Sequence, residues 1–217
     1  MAKRQIVGVV SQKGGVGKST LCHLIAREAA LAGKQAKILD FDTKQMSSVD
    51  WVRVRLERDV HPAIAGEPAK DLAKSLKQNR GYDIIVLDGA PGTPKRTAEL
   101  VPACDLIVLP TGASRADLVP TLALARRIAE MKHNGVGPIF ALCRVMTESE
   151  AATAREAIAA AGFEVFDGEL IERPGYRQAQ NIGRSPTETA FPSLNDKARK
   201  LARNILDRLA WDGIRIG

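Results

Sequence analysis

A glycine-rich segment near the start of the chain combines residue types that bind phosphate. Residues 12–20 are Gln-Lys-Gly-Gly-Val-Gly-Lys-Ser-Thr, and they follow an apolar run at 6–10 and precede apolar residues at helical spacing. Glycines let successive N–H groups converge on a phosphate, and the start of a helix adds partial positive charge. Lys18 is then placed to reach the β- and γ-phosphates, and the Ser19 hydroxyl to bind Mg²⁺. The predicted nucleotide site consists of Gly14, Gly15, Val16, Gly17, Lys18, Ser19 and Thr20. The alternative is a turn that only joins a strand to a helix.

Carboxylates follow two other apolar runs. Asp40 and Asp42 come after the run at 36–39, and Asp88 ends the run at 84–87. In an open α/β sheet, ligands bind at the edge formed by the carboxyl ends of the strands. Asp88 suits a magnesium-bound water, and phosphoryl transfer needs a carboxylate near the attacking water. We therefore expect Lys18, Asp42 and Asp88 to meet at one edge.

Lys13 is the departure from an ordinary phosphate-binding loop. The run Lys-Gly-Gly-Val-Gly-Lys-Ser-Thr at 13–20 resembles the deviant Walker A motif of the ParA/MinD family, whose extra lysine reaches across a nucleotide-sandwich dimer. The resemblance implies an ATP- and Mg²⁺-dependent ATPase that forms a homodimer on binding ATP, with Lys13 and Lys18 at the reacting phosphates. It also implies that Asp42 orients the attacking water and that Asp40 lies near Mg²⁺ or its waters, although Thr43 and Lys44 stand where the family has a proline.

Two later positions also match the family. Pro110, in a Leu-Pro-Thr stretch, resembles a segment at the dimer and base-binding edge, and Arg144 matches a position near the adenine. The resemblance therefore implies that Pro110 and Arg144 contact the nucleotide. Residues 89–92 resemble a switch-like loop that contacts the γ-phosphate, and the alternative for them is a plain turn.

Apolar runs and helical periodicity alternate six times along the chain, without a repeat or a low-complexity linker. This alternation predicts an α/β fold with a mostly parallel twisted sheet and helices on both faces, as in P-loop NTPases. We expect one domain over 1–217. Within it, 62–68 is expected to be a loop. A helix over 46–58 is expected to have Val49, Val52 and Leu56 on one side and Arg53, Arg55 and Arg58 on another.

Composition excludes several classes of protein. No apolar run approaches the roughly 20 residues that a membrane span needs, and no signal peptide fits before the first strand, so a cytoplasmic protein is expected. Three distant cysteines without a C-x-x-C spacing favour reduced core residues. The three histidines form no zinc pattern, which leaves Mg²⁺ as the expected metal.

Basic residues accumulate toward the C-terminus. The chain carries a net charge of +7, and from Arg173 to Arg208 there are eight basic residues against three acidic ones. Several of them lie in a predicted helix at about 193–211. The pattern alone does not separate a solvated helix face from a polyanion site. The resemblance to small ParA-type partition ATPases implies non-specific DNA binding through Arg173, Arg177, Arg184, Lys197, Arg199, Lys200 and Arg203, and a ParB-like protein that stimulates hydrolysis.

Three other functions share the motif. A MinD-like membrane-cycling ATPase ends in a detachable amphipathic helix. Here the last predicted helix has an apolar stripe that faces the domain, so no stable membrane association is expected. A metabolic P-loop enzyme similar to dethiobiotin synthetase would need a small-molecule pocket, for which the sequence offers no residues. A nucleotide-binding domain without cycling would not depend on Lys13 to dimerise.

Overall fold

Seven parallel strands form the centre of the computed structural model, which describes residues 3–92, 94–131 and 137–209. The strands are β1 (Gln5–Val9), β2 (Ala36–Asp40), β3 (Ala65–Pro68), β4 (Ile84–Asp88), β5 (Leu106–Thr111), β6 (Ile139–Val145) and β7 (Glu164–Ile171). Their order in the sheet is β3-β2-β4-β1-β5-β6-β7. The expected α/β fold with a parallel sheet is therefore confirmed.

Helices cover both faces of this sheet. They are α1 (Lys18–Leu31), α2 (Ser47–Glu57), α3 (Leu72–Gln78), α4 (Pro94–Leu100), α5 (Arg115–Glu130), α6 (Glu148–Ala160), α7 (Pro174–Gln180) and α8 (Pro192–Leu206). Side chains of α1, α2, α7 and α8 join one apolar cluster, and those of α3, α5 and α6 pack with the other. Two separate cores on opposite faces of one sheet are what parallel β-α-β connections produce.

The central strands place the polar residues at one edge. β1, β2 and β4 are buried along their whole length because helices cover both of their faces. β2 and β4 pair in register, with Asp40 opposite Asp88, at their carboxyl ends. The loop that follows β1 lies at the same edge, because β1 pairs with β4 in parallel and Val9 is opposite Asp88. The sheet thus brings the glycine-rich loop and both carboxylates together.

One expectation about residues 46–68 is wrong, and the burial of α2 does not follow its two expected sides. Ala65–Pro68 forms the edge strand β3 within the segment expected to be a loop. In α2, Arg55 from the expected arginine side is 0% exposed, and Leu56 from the expected apolar side is 59% exposed. Arg55 is buried because it forms an ion pair with a distant segment, described below.

The C-terminal part differs from expectation in extent. The last strand, β7, runs from Glu164 to Ile171. α8 ends at Leu206, and residues 210–217, which include the end of the predicted helix at about 193–211, lie outside the described residues. Within the described part of the chain, none of the helices has the length and apolar character to cross a membrane. The thiols of Cys22, Cys104 and Cys143 are buried, as predicted.

Candidate functional site

The loop between β1 and α1 has a backbone shape that depends on glycine. Gly15 and Gly17 have φ angles of 73° and 102°, in the left-handed region, and Gly17 is the N-cap residue of α1. A Cβ atom on Gly17 would lie 3.1 Å from the Cβ of Cys143. The Ser11 hydroxyl accepts a hydrogen bond from the Lys13 N–H at 3.1 Å. The loop therefore turns tightly into the start of a helix, where backbone N–H groups can bind an anion.

The two lysines of this loop have different surroundings. Lys18 is 8% exposed, and its ammonium group donates to the Lys13 carbonyl oxygen at 3.2 Å. Lys13 reaches away from the loop to α5, where its Nζ donates to the Ala116 carbonyl oxygen at 2.7 Å and to Asp117 Oδ1 at 2.8 Å. The hydrogen bond from Lys13 lowers the pKa of Asp117 below its ordinary value. Lys18 faces the site, whereas Lys13 is engaged within its own chain.

The carboxylate of Asp88 has one bonded and one free oxygen. Oδ2 accepts a hydrogen bond from the Ser48 hydroxyl at 2.7 Å, while the buried Oδ1 has no hydrogen-bond partner among the described residues. Burial raises the pKa of Asp88 to about 6, and the bond from Ser48 acts in the opposite direction. A buried oxygen without a partner usually has a ligand, an ion or a water. This oxygen is free to bind one.

Asp40 is held by the backbone that follows it. Oδ1 accepts from the Asp42 N–H at 2.9 Å, and Oδ2 accepts from the Ser48 N–H at 2.9 Å. Burial raises the pKa of Asp40, and these backbone hydrogen bonds partly counteract that effect. The carboxylate thereby fixes the start of α2, and its role toward a metal stays a prediction.

The residues around Asp88 fit a magnesium ion. Mg²⁺ prefers oxygen ligands and keeps several waters, so one or two protein oxygens beside a bound phosphate are sufficient. Ser19 and Asp88 both line the cleft and could supply them. The described residues contain no group of three or more His, Cys, Asp or Glu side chains that could hold a metal ion, so a protein-only metal cage is not formed there.

Asp42 belongs to a tightly folded loop. Its Oδ1 accepts from the N–H groups of Lys44 and Gln45, each at 3.2 Å, and its carbonyl oxygen accepts from the Met46 N–H at 2.8 Å. Met46 has a φ of 48°, which is uncommon for a residue with a side chain. The residues inserted at 43 and 44 are thus accommodated by a turn that the Asp42 carboxylate stabilises.

A cleft of about 600 Å³ connects most of the predicted residues. Its lining includes Gly14, Gly15, Gly17, Lys18, Ser19, Thr20, Asp40, Asp42, Asp88, Arg144, Arg173 and Arg177. Val16 and Pro110 are buried and are not among the described lining residues, and Pro110 lies within β5 opposite Ala141. The structure therefore does not place Pro110 at the cleft, and its contact with the base stays a prediction.

Arg144 braces the loop from the other side. It has a φ of 58°, and its guanidinium donates to the Gly15 carbonyl oxygen at 2.8 Å and to Glu172 Oε2 at 2.8 Å. Arg173 and Arg177 follow on the same wall of the cleft. Cationic groups thus surround the phosphate-binding loop on the side toward β6 and β7.

His23 and Trp51 form a wall that the sequence did not reveal. Their rings stack at a centroid distance of 4.1 Å, and the His23 Nε2 lies 3.2 Å from the Ser48 hydroxyl. Burial, followed by the charge of Arg55, lowers the pKa of His23 to about 3, so the imidazole is neutral at physiological pH. His23 therefore supports Ser48, which in turn holds Asp88. A polar residue at a buried helical position is the one signal that could have indicated this.

Arg55 joins α2 to the segment before α8. It forms a bidentate ion pair with Glu188 at 2.8 and 3.1 Å and donates to the Gly183 carbonyl oxygen at 2.8 Å. A Cβ on Gly183 would lie 2.5 Å from the Arg55 backbone nitrogen, so the two backbones touch. Trp51 Nε1 adds a hydrogen bond to the Arg184 carbonyl oxygen at 3.2 Å.

The predicted DNA-binding residues fall into two groups. Arg173 and Arg177 line the cleft, and Arg184 is exposed nearby in sequence. On α8, by contrast, Lys197 pairs with Glu148 at 3.3 Å and Lys200 pairs with Asp167 at 2.8 Å. Arg199 and Arg208 pair with Asp196 and Glu164. Three of the four predicted cations on α8 are therefore matched by carboxylates, and DNA contact by either group stays a prediction.

Comparison with known proteins identifies sequences similar to this chain. A family model described as the CobQ/CobB/MinD/ParA nucleotide binding domain matches residues 7–184. The maintenance of carboxysome distribution protein A of Gloeobacter kilaueensis is 31% identical over 184 residues, which are 83% of this chain and 83% of that protein. The chromosome-partitioning ATPase Soj of Thermus thermophilus is 25% identical over 67% of this chain and 69% of its own length.

Solved structures share the fold. The MinD cell division protein of Aquifex aeolicus has a TM-score of 0.74 at 19% identity, covering 98% of this chain and 100% of that one. The septum site-determining protein MinD of Pyrococcus horikoshii, complexed with Mg-ADP, has a TM-score of 0.72 at 18% identity, covering 99% and 100%. These similarities extend over nearly the whole chain.

Proposed function

The chain belongs to the CobQ/CobB/MinD/ParA nucleotide-binding family, and from this premise we propose that it is an ATPase of the ParA type that positions a cargo. It binds ATP with Mg²⁺, dimerises in that state, binds DNA non-specifically, and is released by hydrolysis. The observation that carries the proposal is a second lysine, Lys13, in a loop that already directs Lys18 into the cleft.

Nucleotide binding uses the loop and its buried lysine. The N–H groups at the start of α1 and the Lys18 ammonium bind the phosphates, with Arg144 holding the Gly15 carbonyl so that the loop keeps its shape. Ser19 and Asp88 would hold Mg²⁺, which when bound neutralises charge on the β- and γ-phosphates.

Hydrolysis needs Asp42 to leave its present hydrogen bonds. The Asp42 carboxylate lines the cleft, where it can orient an attacking water, but Oδ1 now accepts two backbone N–H groups. A carboxylate that must exchange such contacts for a water supports slow turnover. A ParB-like partner that rearranges residues 42–46 would accelerate it.

Dimerisation is the proposed role of Lys13. Its side chain is 41% exposed in the ion pair with Asp117, so the ammonium group can exchange this partner for the phosphates of a second subunit at low cost. Lys13 would then act as a catalytic residue in the partner's site.

The cargo can be DNA or another large particle, and the relatives include both kinds. One relative is named for chromosome partitioning, and the more similar one is named for carboxysome distribution. The identity of 31% with the latter favours a positioning ATPase for a cargo other than DNA as the second candidate function. In both cases the cargo would move along DNA that carries the bound dimer.

The deciding experiment measures retention on random-sequence duplex DNA and on anionic liposomes. Wild type and Lys13→Ala are compared with ATP-Mg²⁺, with ADP and without nucleotide, and phosphate release is followed in parallel. ATP-dependent DNA retention that Lys13→Ala abolishes, while ATP still binds, supports the proposal. Liposome retention without DNA retention would replace it with a membrane-cycling ATPase, and a dimer that forms equally in Lys13→Ala would remove the role of Lys13.

A further inference from the structure

Four cations lie close together on and beside α3, on the face of the sheet opposite α8. Lys70, Lys74, Lys77 and Arg80 are all exposed, and none of them has a carboxylate within 4.0 Å among the described residues. Lys74 and Lys77 are one turn apart on α3, whereas Lys70 lies just before its N-cap residue Asp71 and Arg80 just after its C-cap residue Asn79. We call these four residues the α3 surface.

Two further arginines extend this charge at both ends of the helix. Arg4 donates to the carbonyl oxygens of Leu76 and Asn79, at 2.8 and 3.3 Å, and therefore lies against the C-terminal end of α3. Arg96 donates to the Lys70 carbonyl oxygen at 2.9 Å at the other end. Six cations thus contact or belong to one short segment.

Carboxylates do little to reduce this charge. Asp71 is the single acidic residue between 70 and 80, and its side chain accepts the Lys74 N–H as the N-cap of α3. The nearby Glu67 is bonded to Lys37, and Asp83 accepts the Gln35 N–H. Asp71 is thus the one carboxylate against four cations in residues 70–80, and Arg96 lies 4.0 Å from Glu99. The α3 surface therefore keeps a net positive charge.

The basic residues on and just after α8, by contrast, lie beside carboxylates. Lys197, Lys200 and Arg208 each pair with a carboxylate from α6 or β7, and Arg199 pairs with Asp196 on α8 itself. A polyanion responds to the summed charge of a surface rather than to its basic residues alone. Phosphates that approached α8 would meet several carboxylates as well.

We propose that the α3 surface is the principal contact of this protein with the phosphate backbone of DNA. The inference rests on the proposed function, and it replaces α8 as the site. Lys74 and Lys77 bind phosphates of one strand as point charges, and Lys70 and Arg80 extend the contact along the domain. Such binding is independent of sequence, because no side chain need reach a base.

The side chains of α3 favour DNA over a lipid surface. A helix that binds a membrane by insertion carries exposed large apolar residues beside its basic ones. Leu72 and Leu76 of α3 are turned to the core, and the exposed large apolar side chains of the described chain lie on other elements. The α3 surface can therefore attract phosphates but has no apolar group to insert.

The test compares two matched double substitutions. Lys74→Gln/Lys77→Gln removes two charges from the α3 surface, and Lys197→Gln/Lys200→Gln removes two from α8; glutamine keeps the helix propensity. Binding of random-sequence duplex DNA is measured by fluorescence anisotropy with ATP-Mg²⁺ between about 50 and 200 mM salt. ATP affinity and the thermal midpoint are recorded for both variants as checks on folding.

The α3 variant should bind DNA about tenfold more weakly and lower the slope of log K against log salt by about two, since each lysine contributes about one. The α8 variant should retain affinity within about twofold. If the α8 variant loses DNA and the α3 variant does not, the proposal is overturned while the DNA-binding function stands. If wild type binds no DNA in any nucleotide state, the proposed function itself fails. If the α3 variant loses binding to phosphatidylserine vesicles but not to DNA, the surface recognises lipid and the proposal is overturned.

Discussion

The Lys13 ammonium group and the Asp117 carboxylate lie 2.8 Å apart and link the phosphate-binding loop to the first turn of α5. Lys13 also donates to the neighbouring Ala116 carbonyl oxygen at 2.7 Å. Both contacts must break before Lys13 can reach another subunit. The pair thus sets a small energetic cost on dimerisation.

Removing the charge of Asp117 should make the ATP-dependent dimer form more readily. A partly exposed ion pair contributes about 0.2–1 kcal/mol, and two such pairs break in each dimer, so Asp117→Asn should lower the dimer dissociation constant about two- to thirtyfold. Analytical ultracentrifugation with ATP-Mg²⁺ measures this constant. Asp196→Asn, which removes an exposed carboxylate paired with Arg199, is the control. A weaker dimer in Asp117→Asn would show that the carboxylate serves the dimer instead.

Alanine substitution should affect the free energy of unfolding differently at Gly17 and at Gly14. Gly17 has a φ of 102° and would place a Cβ 3.1 Å from Cys143, whereas Gly14 has open space around it. We expect Gly17→Ala to lower the free energy of unfolding of the nucleotide-free protein by about 1–3 kcal/mol. Gly14→Ala should leave it within about 0.5 kcal/mol. Urea unfolding measures both, and equal losses would contradict the backbone argument.

The contribution of Asp88 to the free energy of unfolding should fall as the pH rises. Its pKa is about 6 in the folded chain against an ordinary value of 3.8, so the folded state holds the proton more tightly. The stability that this group contributes is greatest below about pH 4 and is lost as the pH rises to about 6. Asp88→Asn should therefore be more stable than wild type by about 3 kcal/mol near pH 7 without nucleotide.

Thermal unfolding over the same pH range checks this prediction for Asp88. The difference between Asp88→Asn and wild type should vanish toward pH 4, because the wild-type carboxyl is then protonated. With ATP-Mg²⁺ the order should reverse, since the variant loses an oxygen ligand for the metal. A variant that is less stable at every pH would refute the burial argument.

Breaking the ion pair between Arg55 and Glu188 should destabilise the fold strongly. Arg55 is fully buried, so Glu188→Gln leaves its charge without a carboxylate and should cost about 3–5 kcal/mol of the free energy of unfolding. Glu57→Gln, which breaks an exposed pair with Arg53, should cost less than about 0.5 kcal/mol. Denaturant unfolding of the two variants compares them directly, and similar losses would mean that burial is not what makes the pair strong.

Local sequence patterns predicted the sheet and the residues of its ligand-binding edge. Apolar runs marked β1, β2 and β4 because these strands are buried on both faces, and the spacing of glycines and lysines marked the loop. β3 escaped prediction because an edge strand of Ala-Gly-Glu-Pro is half exposed and has no apolar alternation. Sequence periodicity indicates burial, and the residues of β3 are only partly buried or exposed.

Long-range polar contacts could not be predicted from local patterns. The burial of Arg55 could not be predicted, because its partners Gly183 and Glu188 are 128 and 133 residues away. Ser48 and His23 gave no motif, although they support Asp88. The matching of α8 lysines by carboxylates from α6 and β7 was equally invisible, since it depends on how those elements pack.

The buried side of α2 rigidly connects the carboxylates Asp40 and Asp88 to the distant Gly183–Glu188 segment. At its start, the N–H and hydroxyl of Ser48 are bonded to Asp40 and Asp88; two turns later, Arg55 is bonded to Gly183 and Glu188. These ends are about 10 Å apart along a helix that does not compress. The helix therefore acts as a rigid connection. A displacement of Asp40 and Asp88 must either break the hydrogen bonds of Ser48 and Arg55 or move the Gly183–Glu188 segment by the same amount.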